Sequence, residues 1–509
     1  MRTTEKLAGK AALAVFAGTI VAALAVRCLP IAAFPFDWEP TDGDVLSQVN
    51  RLIKGLPLYT DWPAGDILLP YPPLYYGLVA AGAKLGADPV LFGRGVNLVM
   101  LVVVFLLGML ALSEPRGRGF RPSWAALLFP AMFALNWRSL EEAVYLRADA
   151  LLLILQAALA ALLVCAPHRT VALGALAGLI PFAKQFGVGA SLGAALCLAD
   201  LARRARRGAA GLPAFLLASA GCALAVIMLF EALNHGRFLR VALFHPARVF
   251  AGDMLSWGQL WHIMREYYWT KPWVIALAAV GIAAHRGGRL RPLLFLLAAD
   301  GAVSFLAARN IGGTYAYLWF HWFLVCVFAA LGVEAAAGRL AALSPDRHRG
   351  RAFAAALAAV LLCCVPYEAE VLSFRLRSTA GLWRAAAAHQ GLIGRLVREY
   401  PGAKWIATRH ATALGREGVV LDQDWCTMEL AFAGPARFDP APLARRLARG
   451  EYRFAQVAES QCGFDQPLTP VLKDCFSPIA RSSVVSLGSV YPALILRYDP
   501  SMNACKEDR

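Results

Sequence analysis

The feature that most constrains this chain is a succession of apolar runs long enough to cross a bilayer. A hydrocarbon core of about 30 Å takes about 20 helical residues, so runs of about 18 or more mark candidate spans. The first covers residues 11–33. Further runs lie near 95–112, 123–137, 149–166, 170–199, 211–233, 272–285, 291–308, 315–335 and 352–366. Lys184 and Gln185 interrupt the run at 170–199. It reads as two short spans meeting at a polar break, for a total of about eleven spans. Composition agrees: 59% of the 509 residues are hydrophobic and 17% are charged. Soluble domains are about 45–50% apolar and about 25% charged. A soluble globular enzyme, a disordered chain and a disulfide-stapled mini-protein are excluded.

The net charge of +16 sits at the ends of the apolar runs, where basic residues set membrane topology. That placement argues against a nucleic-acid partner. Arg2, Lys6 and Lys10 precede the first run and place the chain's start in the cytoplasm. That run is too long for the apolar core of a signal peptide, and it reads as an uncleaved span. With eleven spans, four basic clusters share the cytoplasmic side: Arg116, Arg118 and Arg121; Arg203, Arg204, Arg206 and Arg207; Arg286, Arg289 and Arg291; Arg339, Arg347, Arg349 and Arg351. Segments 34–94, 138–148, 234–271 and 309–314 then face outside, and they are richer in Trp, Tyr, Asp and Pro.

Beyond residue 367 charged residues, Gly and Pro become frequent and no further span follows. The chain divides into a membrane domain (1–366) and a soluble α/β domain (367–509) on the outer side. WIAT (405–408), GVVLD (418–422) and RFAQVA (453–458) read as strands, and LARRLARG (443–450) as a helix ending at Gly450. Of the eleven cysteines, seven lie in or beside apolar runs, where Cys acts as a small hydrophobe. Cys426, Cys462, Cys475 and Cys505 belong to the outer domain. Cys462 and Cys475 are either a disulfide pair or free thiols. No metal-ligand spacing such as C-x-x-C occurs.

The first outer loop carries the strongest chemical signal. Asp42 and Asp44 stand just past the first span, followed by VLSQVNRLIKG. Val45, Leu46, Val49, Leu52 and Ile53 fall on one face, the pattern of a helix lying flat on the membrane, and Gly55 ends it. After Pro72-Pro73 comes a segment of about 15 residues, too short to span and read as a second juxtamembrane helix. A carboxylate here either activates a hydroxyl as general base or caps the surface helix. No P-loop and no Gly-rich nucleotide fingerprint is present.

Asp42-Gly43, the following Leu-x-Gln-x-x-Arg-Leu, Gly55-x-x-Leu-Tyr59-x-Asp61 and Tyr71-Pro-Pro-Leu-Tyr75 resemble the first loop of the GT-C superfamily of membrane glycosyltransferases. The match is to the RgtA/B/C/D-like branch, related to protein O-mannosyltransferases and aminoarabinose transferases. The resemblance covers about residues 10–330. It implies a polytopic GT-C-like fold and transfer of a sugar from a polyprenyl-phosphate donor at the outer face of the bacterial inner membrane, in cell-envelope synthesis. It also implies a loop carboxylate as base or acceptor guide. Asp42 aligns with the Glu of the family's Asp-Glu pair and Thr41 with its Asp. The pair is incomplete, and the base is Asp42 or Asp44.

Further candidates line the outer ends of the spans. Arg147 and Asp149, in 145-YLRADALLLIL-155, match an Arg-x-Asp of the same branch. Asp149 orients the acceptor, holds an active-site divalent cation, or pairs with Arg147 to anchor the helix end. Lys184 and Gln185 also match the branch, and Lys184 either meets a phosphate or snorkels to the interface. In 309-RNIGGTYAYLWFH-321, Arg309 is a phosphate ligand candidate and Tyr315 a substrate contact. His321 reads as an interior histidine. The expected partners are a polyprenyl-phosphate sugar, a lipid, glycan or protein acceptor, and the membrane. The sequence specifies no cofactor, and a divalent cation stays open. A transporter or flippase of a lipid-linked glycan is the rival reading. It calls for polar residues along the spans and for internal repeats. The polar residues gather instead at one face.

Overall fold

The computed structural model describes residues 28–36, 38, 42–59, 71–116, 119–121, 123–204, 211–244, 257–285, 288–309, 315–342, 381–407, 411–421, 441–458, 469–486 and 489–502, with isolated positions at 18, 21, 22 and 25. The chain is a mostly helical, multi-pass membrane protein. In the first loop lie α1 (Asp42–Ile53) and α2 (Leu74–Lys84). The membrane helices follow: α3 (Pro89–Leu112), α4 (Trp124–Ala134), α5 (Trp137–Glu142, a short connector), α6 (Asp149–Cys165), α7 (Thr170–Ala183), α8 (Val188–Arg204) and α9 (Gly211–Leu233). After α10 (Trp257–Met264) come α11 (Pro272–His285), α12 (Arg291–Ala308) and α13 (Trp319–Ala342).

Among the described residues, five helices have the length and apolarity to cross a membrane, and α4, α6, α7 and α11 are shorter apolar helices. Each apolar run between 95 and 335 is occupied by a helix. The run at 352–366 and most of 11–33 lie outside the described residues. The break at Lys184 is real: α7 ends there in extended backbone, and a 3-10 turn (Gln185–Gly187) leads into α8. Small residues bring helices into backbone contact, as apolar side chains gain nothing from lipid. A Cβ at Gly281 would lie 1.9 Å from the Phe328 carbonyl oxygen, and one at Gly332 1.9 Å from that of Leu277. Helices α11 and α13 are thereby sealed together.

The two ends of the helix bundle differ in charge chemistry. At one end Arg289 donates to the Ser113 carbonyl and lies 3.4 Å from Cys165 Sγ. Asp200 there holds Arg291 at 3.0 Å, Arg204 at 3.0 Å and Arg203 at 3.2 Å. Members of two of the basic clusters therefore share one end with the α3 and α6 C-termini. Arg347, Arg349 and Arg351 lie outside the described residues. At mid-bundle, fully buried Asp300 accepts from Gln156 Nε2 at 3.1 Å and Ser304 Oγ at 3.2 Å, a tie between α12 and α6. His321 is an interior histidine, with Nδ1 2.5 Å from the Tyr268 hydroxyl.

The C-terminal region contains a helical segment at 381–399 and a four-stranded sheet. After a short hairpin in the membrane domain, β1 (Glu114–Arg116) with β2 (Gly119–Arg121), the sheet comprises β3 (Trp405–Ala407), β4 (Phe454–Ala458), β5 (Phe476–Ser486) and β6 (Ser489–Tyr498). Its order is β3-β4-β6-β5, with β3 and β4 parallel and the other pairs antiparallel. Two expected strands are present at 405–407 and 454–458, and the expected helix spans Ala441–Ala448 with Gly450 at φ +70° beyond it. The expected strand at 418–422 is not formed over its described residues, 418–421. The Val419 carbonyl accepts from Asn50, and the Leu421 amide donates to Ser47 Oγ, so these backbone groups serve α1 instead of a sheet. Cys475 is in a disulfide. Cys426, Cys462 and Cys505 lie outside the described residues.

His389, 3% exposed, meets Ser482 Oγ at 3.0 Å and so ties the 381–399 helix to β5. Burial lowers its pKa from 6.5 to about 4. The unfolded chain takes up a proton near pH 6.5, whereas the folded one resists until about pH 4. This contribution to stability is complete above pH 6.5 and is lost as pH falls toward 4, at a slope of at most about 1.4 kcal/mol per pH unit. Thermal unfolding midpoints of the purified protein are expected to fall across this window, and to fall less in His389→Gln.

Candidate active site

The site is built where the first loop meets the end of the bundle opposite Asp200 and Arg289. The sequence prepares a helix at 42–53 with an apolar stripe, and α1 forms there. It does not lie open on the membrane surface, however: residues 42–51 are all buried. The apolar stripe packs on α2 and the helices below, with Val45, Leu46 and Val49 in one core with Tyr59, Tyr75 and Tyr76. The polar stripe is covered by 411–421, where Asn50 Nδ2 donates to the Gly415 carbonyl at 2.7 Å.

Asp42 and Arg94, both fully buried, form an ion pair at the foot of α1. Arg94 also donates to the carbonyls of Phe34 and, at 2.9 Å, Phe36. Asp42 accepts further from the Trp38 amide at 3.2 Å and the Leu146 amide at 3.1 Å. One turn along α3 from Arg94, Asn97 Nδ2 donates to the Tyr145 carbonyl at 2.5 Å, the Arg147 carbonyl at 3.1 Å and the Tyr75 hydroxyl at 3.0 Å. The pair Arg94 and Asn97 thus fixes both the loop helix and the 145–147 turn.

That turn delivers Arg147 and Asp149. Asp149 pairs with Arg147, whose Nε lies 3.1 Å away, and accepts from Lys184 Nζ at 2.5 Å. Lys184 is 1% exposed, so it does not snorkel. Its ammonium lies 4.8 Å from the Tyr71 ring centre and 5.3 Å from those of Phe186 and Tyr317. The break in the α7–α8 run is what allows this. A continuous helix would carry Lys184 along the helix wall, whereas the extended residue turns it toward Asp149. Gln185 Nε2 holds the break by donating to the Ala242 carbonyl at 2.8 Å.

Asp44 is buried in the first turn of the same helix as Asp42. Its charge adds to the effect of burial in raising the pKa of the Tyr76 phenol. Burial pushes the phenols of Tyr59, Tyr75 and Tyr76 above the usual tyrosine range, so they remain neutral hydroxyls. The Tyr59 hydroxyl donates to the Tyr71 carbonyl at 2.7 Å. Arg309 stands on the Trp257 ring at 3.9 Å, and no contact joins it to Lys184 among the described residues. Tyr315 opens a 3-10 turn (Tyr315–Leu318), and its side chain lies outside the described residues. Asp61 and Thr41 also lie outside them.

No protein-family model matches the chain, and no curated relative aligns with it. Solved structures do. The structure of ArnT from Cupriavidus metallidurans bound to undecaprenyl phosphate aligns at 13% identity and TM-score 0.60, over 94% of this chain and 97% of that one. Its apo state aligns at 13% identity and TM-score 0.57, over 96% of this chain and 98% of that one. The chain shares its fold with these two ArnT structures.

Within this fold the sequence reading named Asp42, Asp44, Arg147, Asp149 and Lys184, which the structure gathers at one end of the bundle. It did not single out Arg94 and Asn97. Their signal was present: two polar residues spaced i, i+3 at the edge of an apolar run, where a buried charge is costly unless paired. Among the described residues no three His, Cys, Asp or Glu side chains converge on a metal-sized site. Asp149, already engaged by two cations, anchors them.

Removing one partner of a buried ion pair leaves the other charge uncompensated, at about 3–5 kcal/mol. Arg94→Leu is therefore expected to lower the yield of folded, monodisperse protein in detergent sharply. Asp42→Asn, which keeps its acceptor oxygen, is expected to lose less thermal stability in the same assay.

Proposed function

We propose that this chain is a glycosyltransferase of the bacterial inner membrane. It moves a hexosyl or pentosyl group from a polyprenyl-phosphate-linked donor to a hydroxyl of a lipid, glycan or protein acceptor at the outer face. The observation that carries this reading is the buried Lys184–Asp149–Arg147 cluster, with its ring of aromatic faces, at the end of the bundle that the first loop covers. It combines cations for a phosphate with an apolar surround suited to a lipid. The fold comparison supports the same reading, as the aligned ArnT structure holds undecaprenyl phosphate. About eleven spans, a cytoplasmic N-terminus and an outer domain at 367–509 complete the proposed topology.

The chemistry follows from the groups present. The bond between the anomeric carbon and a phosphate oxygen breaks as the acceptor oxygen bonds to that carbon from the opposite side, so the configuration inverts. Negative charge grows on the departing phosphate, where Lys184 and Arg147 stabilise it. Asp149 holds both cations in place beforehand, so little reorganisation is needed. Arg309, stacked on Trp257, serves the same anion from the α12 side. The acceptor proton passes to a loop carboxylate. Asp42 is poorly suited to this task, because its oxygens already accept from Arg94 and two backbone amides. Asp44 is assigned as the base.

The test is sugar transfer from a panel of polyprenyl-phosphate sugars in proteoliposomes. Asp44→Asn is expected to lower kcat by about 10²–10⁴ with the fold retained, the usual worth of a positioned base. Lys184→Gln is expected to raise the donor KM. Full activity in Asp44→Asn would remove Asp44 from the mechanism. Translocation of an intact lipid-linked glycan without transfer would favour the flippase reading.

A further inference from the structure

The C-terminal segment 411–421 makes an unusually close contact with α1. A Cβ built on Gly43 would lie 2.6 Å from the Ala411 amide nitrogen and 2.8 Å from its Cα, so backbone meets backbone. One built on Gly415 would lie 2.7 Å from Leu46 Cδ2. Polar bonds then run the length of the helix. Ser47 Oγ accepts from the Leu421 amide at 2.9 Å, Asn50 Nδ2 donates to the Gly415 carbonyl, and Lys54 Nζ donates to the Gly418 carbonyl at 2.5 Å.

One residue secures the segment to the membrane domain. Arg416 Nη2 lies 2.8 Å from Asp88 Oδ2, and its Nη1 donates to the Pro35 carbonyl at 2.6 Å. Asp88 is itself the N-cap of α3, with Oδ1 accepting from the Val90 and Leu91 amides at 3.0 Å each. Arg416 therefore joins the end of the first span, the start of the helix that carries Arg94, and the segment covering α1. It is about a quarter exposed, so its loss leaves no buried charge behind.

We propose that 411–421 is a clamp on α1 and that Arg416 is a positioning residue for the transfer reaction, acting through the helix that bears Asp44. This rests on the reading of Asp44 as the base. On this account the C-terminal region is an integral part of the working site, and the carboxylate is aligned only while the clamp is closed. A carboxylate displaced by about 1 Å loses about 10²-fold in rate.

The experiment compares full-length wild type with Arg416→Ala, Arg416→Lys and Gly43→Ala in proteoliposomes. Two readouts are taken: transfer kinetics, and hydrogen exchange of the peptide covering 42–53. Arg416→Ala is expected to speed exchange in 42–53 while leaving α6 protected. It is also expected to lower kcat by about tenfold or more with the donor KM unchanged. Arg416→Lys, which keeps the charge on Asp88, should recover part of both, and Gly43→Ala should reproduce the alanine effect. Unchanged exchange in Arg416→Ala, or a change in donor KM with kcat intact, overturns the clamp. If wild type transfers no sugar from any donor, the reading of function falls, and the exchange readout still decides whether the clamp exists.

Discussion

The buried pair of Asp42 and Arg94 is the constraint on which the rest of the site depends. Neither charge is exposed to solvent, so each requires the other, and the pair exists only when the first loop is folded against α3. Arg94 further collects carbonyls at the end of the first span, and Asp42 collects amides on both sides of it. Three chain segments remote in sequence are thereby fixed at one point. Asn97, a turn further along the same helix, extends the grip to the residues before Asp149. An apolar contact would hold these segments together without selecting their register. Directional bonds to carbonyls and amides select it.

From that fixed point the groups proposed to work are displayed on different elements. Asp44 comes from α1, Arg147 and Asp149 from the start of α6, and Lys184 from the break between α7 and α8. Only the last of these needs an interrupted membrane helix. Extended backbone at membrane depth is tolerated where it lines protein instead of lipid, and Lys184 faces Asp149 and three aromatic rings. The opposite end of the bundle spends its arginines on Asp200 and on helix C-termini. One end is built for anchoring, and the other holds a concentrated, shielded positive charge next to a carboxylate helix.

Much of this was legible in the sequence, because lipid leaves little freedom. An apolar run between basic clusters has few alternatives to a helix, and the helices fall where the runs do. The site residues were legible for the same reason: a charge at the edge of a span stands out against its neighbours. Two kinds of feature were not. Arg94 falls at the end of what reads as a loop and Asn97 at the start of a span, and their partners, the Asp42 carboxylate, the Tyr75 hydroxyl and several backbone carbonyls, lie far away in sequence, which no local pattern displays. The α1 helix reads as a surface helix, since its moment is strong and its cover lies more than 350 residues downstream. The same long-range contact explains the strand expected at 418–422: Val and Leu favour a strand, but their backbone groups are taken by Ser47 and Asn50. The β5–β6 hairpin carries Pro478 and Pro492, residues that argue against a strand when read locally.

The central claim is that the Lys184–Asp149–Arg147 cluster is a site for a lipid phosphate. Native mass spectrometry of the purified protein titrated with undecaprenyl phosphate tests it without requiring the sugar or the acceptor to be known. The account predicts one equivalent bound by the wild type, with affinity reduced by about tenfold or more in Lys184→Gln, a difference of about 1.4 kcal/mol. Equal affinity in the two proteins, or no binding by the folded wild type, would contradict it.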